Sequence, residues 1–551
     1  MELLHRYMRQ TEFASYEDFC ENFGLVVPDH FDFPRDVVDF WAETEPEKRA
    51  LVYVDDDDNA QTFTFRDISR LSKQAAAYFS SLGVCMGDRV VLMLRRRWEY
   101  WVCAVALHRL GASVVPASVQ LTAKDIAYRV NEARACAIVA INDPFVKAQL
   151  RQLPSQCKSL YHLILAGEGP VENPPFRPFN TEFALFEPQE EYPLLDNDND
   201  FLIYFTSGTS GYPKMAIHNR SYPLAHIVTA KFMQCVQNNG LHLTQADSGW
   251  AKFGWGNIYG QWICGCAILG YDPIRFSAEK MLEITERFQP TSICIPPTMY
   301  RFLLHAGLQK RHVASINWFS TAGEALSGEV NQQFHEITGH MIHEGYGQSE
   351  GAPITCTFQW LPVRPSSMGK PSPLYDVAIV DQDGNPCPQG TAGEVVIRVQ
   401  GDSQLGLLAA YGHMGDLKSP VENGLYHTGD IAVADEDGYY WYQGRNDDMI
   451  KCSGYRIGPF EIESVLNTHE AIRESAIVGR ADELRGQVVC AVVALKPGYE
   501  PSEALTKELQ RYVKQNTAPY KYPRVVEYVQ ELPKTTSGKI IRRALTMPVG
   551  A

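Results

Sequence analysis

No Cys-x-x-Cys pair occurs in this 551-residue chain, and apart from Cys264-Gly265-Cys266 its thirteen cysteines are scattered. Metal-ligand clusters and a disulfide framework are therefore not expected, and unpaired thiols in that number suit a reducing cytosol. Positive charge is in short supply. The 50 Lys and Arg stand against 65 Asp and Glu, a formal charge of −15, which disfavours nucleic acid or an anionic membrane surface as the main partner. Long apolar runs are missing too: nowhere do eighteen apolar residues follow one another, so no membrane-spanning helix is predicted. The start, Met1 to Tyr7, has no apolar stretch of signal-peptide type, and Glu2 and Glu12 argue against a transit peptide. These absences leave the cytoplasm as the expected location. The G-x-x-x-x-G-K-[ST] spacing of common NTPases is also absent, which disfavours a phosphate-driven protein switch.

What is present is an ordinary globular composition, 45% apolar and 21% charged, at a length too great for one compact core. Helix and strand patterns alternate. Thr64 can cap a helix whose apolar face is Ile68, Leu71, Ala75, Phe79 and Leu82, with Gly83 at its stop and a strand at Val90 to Leu94. A similar unit runs from Leu282 to Phe288 and on to Ser292–Ile295. The acidic run Asp55 to Asn59 reads as a solvated hairpin tip. These units predict a large α/β body with mainly parallel sheets. Past Gly444 a separate small α/β set follows: a helix opened by Pro459, strands at Ala476–Val478 and Val488–Leu495, a helix over Ser502 to Gln515 and a strand at Val525–Val529. The predicted division is residues 1–444 and 445–551, joined near Asp447.

The most informative segment is Thr206-Ser207-Gly208-Thr209-Ser210-Gly211-Tyr212-Pro213-Lys214, directly after the apolar run Phe201 to Phe205. Glycines let backbone N–H groups close on phosphate oxygens, hydroxyls donate further bonds and Lys214 adds a charge. A nucleotide is the expected first substrate. Three further segments follow in order: His343-Glu344-Gly345-Tyr346-Gly347-Gln348-Ser349-Glu350; then Tyr426-His427-Thr428-Gly429-Asp430 with Gly444-Arg445-Asn446-Asp447-Asp448; then Pro533-Lys534-Thr535-Thr536-Ser537-Gly538-Lys539. Together the four resemble the adenylate-forming superfamily of acyl-CoA synthetases, adenylation domains and luciferases, and within it the medium-chain acyl-CoA synthetases.

The resemblance implies an ATP-dependent acid:CoA ligase. ATP and CoA are its co-substrates, Mg²⁺ its cofactor and a small carboxylic acid its third partner. By it, Thr206, Ser207, Gly208, Thr209, Ser210, Gly211, Pro213 and Lys214 hold the β- and γ-phosphates. Gly323, Glu324 and Ala325 lie beside the purine, Tyr346 against adenine, and Glu344, Gly345, Gly347, Gln348 and Ser349 complete the nucleotide site. Glu350 is the Mg²⁺ ligand, Asp430 accepts both ribose hydroxyls, and Arg445 supports the ribose. Lys539 bridges the reacting carboxylate and the α-phosphate, while Asp447 is the hinge on which the small domain turns.

For CoA, the resemblance points to Gln120, Ser453, Gly454, Tyr455, Arg485, Lys514, Tyr522, Pro523 and Arg524. For the acid it points to Arg456, Ser349 and the segment Asp247 to Trp255. There Trp250, Phe253 and Trp255 are expected to shorten the pocket and favour short- to medium-chain, branched or aromatic acids. Two other readings stay open: a stand-alone adenylation enzyme loading a carrier protein, and a non-catalytic acyl-nucleotide sensor.

Overall fold

The computed structural model describes residues 3–206, 213–401, 403–446, 448–452, 455–482, 486–517, 521–534 and 540–545. Local chemistry sets the element boundaries. The helix Phe65–Ser81 starts at Thr64, whose hydroxyl accepts from the Asp67 N–H while the Asp67 carboxylate accepts from the Thr64 N–H, a reciprocal cap. It buries Ile68, Ala75 and Phe79 and stops where Gly83 takes a positive φ of 86°, a conformation that costs glycine nothing. The next strand is Arg89–Met93, one residue out of phase with the sequence reading at its end. In the same way Ser277 caps Ala278–Phe288 before the strand Ser292–Cys294, and Ser502 caps Glu503–Asn516.

Two nine-stranded sheets form the body. In the first, Asp200–Thr206 pairs in parallel with Ser113–Pro116, and the parallel run continues through Arg89–Met93, Ala137–Ile141, His162–Ala166 and Phe176–Pro178. On its other side Asp200–Thr206 pairs antiparallel with Lys214–Asn219, which in turn pairs with Ala410–His413. In the second, Ile342–Tyr346, Trp318–Ala322, Ser292–Cys294, Leu241–Thr244, Ala267–Tyr271 and Arg49–Val54 are all parallel. Strands such as Ala137–Ile141 and Ala267–Tyr271 are buried along their whole length, as a sheet covered on both faces requires. The acidic run at 55–59 is the tip between Arg49–Val54 and Ala60–Thr64. The Asp55 carboxylate accepts from its own turn's Asp57 and Asn59 N–H groups.

A third sheet goes beyond the parallel pattern read from the sequence. Asp376–Val380, Gly393–Arg398, Leu425–Ala434 and Tyr440–Arg445 form a wholly antiparallel ladder. A fourth is built from residues after 449: Ile450–Cys452, Tyr455–Ile457, Gly486–Leu495 and Ile472–Asp482 pair antiparallel, and Val525–Val529 joins Gly486–Leu495 in parallel. The strands and helices after 449 bury Ile457, Ile462, Ile477, Val493 and Leu509 against one another, a core separate from that of the large body. All thirteen cysteines are free thiols. Among the described residues no helix is long and apolar enough to cross a membrane.

Candidate active site

Parallel pairing puts the ends of neighbouring strands side by side. Because Ala322 faces Gly345 across the ladder, the segments 323–326 and 346–350 leave the second sheet at the same edge, its C-terminal one, where open α/β sheets place ligands. The two are tied: the Leu326 N–H donates to Glu344 Oε2 at 3.1 Å, and Glu324 accepts from the Thr298 hydroxyl at 2.8 Å. Gly323, at φ 92°, has open space where a Cβ would point. Burial raises the Glu344 carboxyl to about 8, so it is protonated at neutral pH and acts as a structural clasp.

Asp430 is the node of this edge. It is only 5% exposed. The Tyr346 hydroxyl donates to its Oδ2 at 2.6 Å, and the Gln348 amide donates to the same oxygen. The Tyr442 hydroxyl and the Arg445 guanidinium both reach Oδ1 at 3.3 Å. Register explains the last pair, since Asp430 and Arg445 are direct partners across the antiparallel ladder. Gln348 is fixed at both ends: its amide donates to Thr428 O at 2.7 Å and its carbonyl accepts from the Tyr426 hydroxyl at 2.8 Å. Four donors fill roughly the whole acceptor capacity of a carboxylate. For Asp430 to receive two ribose hydroxyls, two of these donors must let go. Tyr346 and Gln348 reach Asp430 from the edge of the second sheet, so their release leaves the Asp430–Arg445 pair of the antiparallel ladder in place.

The phosphate segment is described at its two ends. Thr206 and Lys214 face one another across the first sheet. The Thr206 hydroxyl lies 3.1 Å from the Tyr411 hydroxyl, and the Lys214 ammonium sits over the Tyr411 ring, 5.2 Å from its centre. Pro213 O accepts from the Tyr128 hydroxyl at 2.8 Å. The two sheets meet where His218 Nε2 donates to Ser349 O at 2.8 Å. Burial raises the Glu350 carboxyl above the ordinary carboxylate range, while the Thr206 hydroxyl and the Arg445 charge pull it partly back. A half-buried carboxyl of this kind, beside a segment expected to hold phosphates, suits one ligand position of a hard cation. Among the described residues no group of three or more His, Cys, Asp or Glu could hold a metal without the nucleotide.

The acyl segment divides. Trp250 is half-buried at the start of the helix Ala251–Asn257. Phe253 packs into the core, 4.6 Å from the Tyr100 ring and 5.6 Å from that of Trp101. Trp255 instead lies against the nucleotide segment: a Cβ on Gly347 would stand 2.5 Å from its Cη2. Gly347→Ala is therefore expected to cost about 1–3 kcal/mol of stability by overpacking and to shift tryptophan fluorescence. An unchanged denaturation midpoint and spectrum would show that the ring can step aside freely.

Of the residues expected at CoA, Lys514 and Arg524 flank the Tyr522 ring, 4.3 and 5.0 Å from its centre, with Pro523 between. Gln120 is exposed, its N–H held by the Ser118 hydroxyl, which donates to Asp247. Ser207, Gly208, Thr209, Ser210, Gly211, Asp447, Ser453, Gly454, Arg485 and Lys539 lie outside the described residues, as do the side chains of Tyr455 and Arg456. Sequence reasoning missed Tyr411, Tyr442 and His218, and it quoted Tyr426 in a motif without giving it a role. The spacing of Tyr442, three residues before Arg445, would put the two on opposite faces of a regular strand; the irregular register of the ladder brings both to Asp430.

Burial also keeps several histidines neutral. It lowers His218 and His343 to about 4, His226 and His242 to about 3, and His108 well below the usual value. In the unfolded chain each binds a proton near pH 6.5. Between pH 6.5 and 4 the unfolded state holds the extra protons, so stability falls as pH falls. Glu344, losing stability as pH rises through 8, acts in the opposite sense, as do Glu350 and Asp36, whose carboxyls burial also raises, but these are fewer than the five histidines. The unfolding free energy is expected to drop by several kcal/mol from pH 7 to pH 5, read as the urea midpoint at each pH. A flat profile would place these imidazoles in contact with water.

The family model of the AMP-binding enzyme matches residues 38–404, and that of the AMP-binding enzyme C-terminal domain matches 461–539. Human acyl-coenzyme A synthetase ACSM3, mitochondrial, is 36% identical over 98% of this chain and 93% of its own. The anthranilate CoA ligase AuaEII, solved with anthranoyl-AMP, is 27% identical over 94% of this chain and 97% of its own, with a TM-score of 0.84. A benzoate CoA ligase from Burkholderia xenovorans LB400 is 25% identical over 94% of this chain and 100% of its own, with a TM-score of 0.80.

Proposed function

This chain belongs to the AMP-binding enzyme family, and from that premise we propose how its residues turn a carboxylic acid into a CoA thioester. It is an acyl-CoA synthetase, an AMP-forming acid:CoA ligase that works through an acyl-adenylate. A carboxylate is a poor acyl donor because its leaving group would be oxide. Attack of the carboxylate on the α-phosphorus of ATP expels pyrophosphate and leaves the acyl group on AMP. The CoA thiolate then attacks the acyl carbonyl, and AMP departs.

The observation that carries the assignment of roles is the convergence on Asp430 of Tyr346, Gln348, Tyr442 and Arg445. Asp430 takes the ribose, Arg445 holds it from the strand side, and Tyr346, once released, covers adenine. Lys214 and Lys539 neutralise charge gathering on the phosphates, the kind of aimed stabilisation that dominates such reactions. Glu350 would hold Mg²⁺ together with the nucleotide phosphates, and the cation would supply charge neutralisation there. Lys514, Tyr522 and Arg524 suit the nucleotide phosphates of CoA, since two cations stand on one half-buried ring. Residues 445–551 form the mobile domain, with Asp447 its pivot. The acid is short- to medium-chain, branched or aromatic, because Trp255 closes on the nucleotide segment. Free thiols throughout fit the cytosol or another reducing compartment.

The test is AMP release from ATP and CoA over acids from acetate to palmitate, including isobutyrate, 2-methylbutyrate and benzoate, with and without EDTA. CoA-dependent AMP release that peaks on short, branched or aromatic acids and stops with EDTA is expected. A palmitate peak removes the pocket assignment, and turnover in EDTA removes the cation. Pyrophosphate exchange without CoA turnover points to a carrier protein, and silence on every acid to a sensor.

A further inference from the structure

Behind the nucleotide segment lies a chain of buried polar rings that the adenylation reaction as derived above does not use. His218 stands 4.0 Å from the Tyr222 ring, Tyr222 4.4 Å from His226, and His226 5.8 Å from Trp255, centre to centre. All four are at most 5% exposed. Yet His218 Nδ1, the Tyr222 hydroxyl, His226 Nε2 and Trp255 Nε1 are each buried without a hydrogen-bond partner. Buried polar atoms are almost always satisfied, so several orphans in one place mark where something else binds. The Trp255 N–H and the Tyr204 hydroxyl lie near enough to the Tyr222 hydroxyl to draw its pKa down against the larger effect of burial, while the Tyr222 hydroxyl and the Trp255 N–H each lack a partner of full hydrogen-bond geometry.

The cluster abuts the reacting end of the substrate. Trp255 touches Gly347, His218 donates to Ser349 O, and the Tyr222 hydroxyl feels the Glu350 charge. Its hydrogen-bonding character is legible. Ser349 O can only accept, so His218 carries its proton on Nε2. Burial keeps that imidazole neutral, which leaves Nδ1 a bare acceptor. Trp255 Nε1 can only donate. A single group that satisfies both must donate and accept at once. A carbonyl cannot donate, and an aromatic amine is a poor acceptor. A hydroxyl does both.

Building on the acid:CoA ligase reading, we propose that the acid activated here carries a hydroxyl close to its carboxylate, held between His218 Nδ1, the Tyr222 hydroxyl and the Trp255 N–H. These three orphaned atoms then add a demand for a hydroxyl to the limit that Trp255 sets on the acid's size.

The test compares matched pairs in the CoA-dependent AMP-release assay: 2-hydroxyisobutyrate with isobutyrate, 3-hydroxybutyrate with butyrate, and 2-hydroxybenzoate with benzoate. In at least one pair the hydroxylated acid is expected to have a kcat/KM roughly tenfold or more higher, because a site built to bond a hydroxyl discriminates strongly against its absence. Tyr222→Phe, which keeps the ring, is expected to shrink that ratio about tenfold. Turnover with no preference in any pair overturns the proposal and leaves the polar atoms to an internal water, while the ligase reading stands. A preference that survives Tyr222→Phe unchanged overturns the placement. Silence on all six acids, with the wider acid panel silent too, defeats the ligase reading and this one with it. Activity elsewhere in that panel without these six defeats this one alone.

Discussion

Replacing Lys539 with alanine is expected to slow acyl-adenylate formation about a thousandfold while leaving ATP affinity within a few-fold of its original value. The physical ground is that two anions, the carboxylate and the α-phosphate, must approach to bonding distance, and their repulsion rises as the bond forms. A cation between them gains most at the transition state, which is the condition for a change in kcat rather than in binding. Removing one such aimed donor typically costs two to three powers of ten. Single-turnover formation of acyl-AMP, measured beside ATP binding by calorimetry, separates the two quantities. A variant that binds ATP poorly but forms adenylate at the original rate when saturated would reassign Lys539 to nucleotide binding. An unchanged rate would remove it from the reaction.

The second large effect belongs to Asp430. Asp430→Ala leaves the Tyr346 and Tyr442 hydroxyls and the Arg445 guanidinium without their shared acceptor, and it removes the proposed partner of two ribose hydroxyls. Charge-assisted hydrogen bonds contribute about 1.5–3 kcal/mol each, so ATP affinity is expected to fall roughly a hundredfold or more. Folding stability should fall less, by about 1–3 kcal/mol, because Arg445 is 40% exposed and water can take over part of its pairing. Calorimetric ATP titration and urea unfolding read these separately. Affinity unchanged within twofold would place the ribose elsewhere.

The chemistry was legible in the sequence wherever it is local. Thr64 caps its helix as read, because capping needs only a hydroxyl and the next turn; Ser502, read as the first helical residue, and Ser277, which was not read, cap theirs in the same way, and the strand before the phosphate segment was read from its continuous apolar run. The proposed nucleotide residues were read from short ordered segments. What the sequence withheld depends on register. Nothing in Tyr442 itself says that it faces Asp430; the ladder that pairs Asp430 with Arg445 does. Tyr411 likewise meets Thr206 and Lys214 only because its strand joins the far edge of the first sheet. The antiparallel sheet from 376 to 445 was missed because glycines interrupt its longer strands, Gly429 inside Leu425–Ala434 and Gly444 inside Tyr440–Arg445. Phe253 and Trp255, two positions apart, were read alike, and only packing tells the core side chain from the one beside Gly347.

The bond from His218 to Ser349 O joins two sheets that otherwise own different parts of the nucleotide site. The flanks of the proposed phosphate segment are rooted in one nine-stranded sheet, the proposed purine contacts begin in the other and the proposed ribose contacts in the antiparallel sheet, so on that proposal the site works as a calliper whose jaws are whole layers. Its gauge is set by everything packed along the seam rather than by the residues at the tips. Substitutions far from ATP that loosen the fit between layers should therefore be felt first in the KM for ATP, before the protein loses measurable stability.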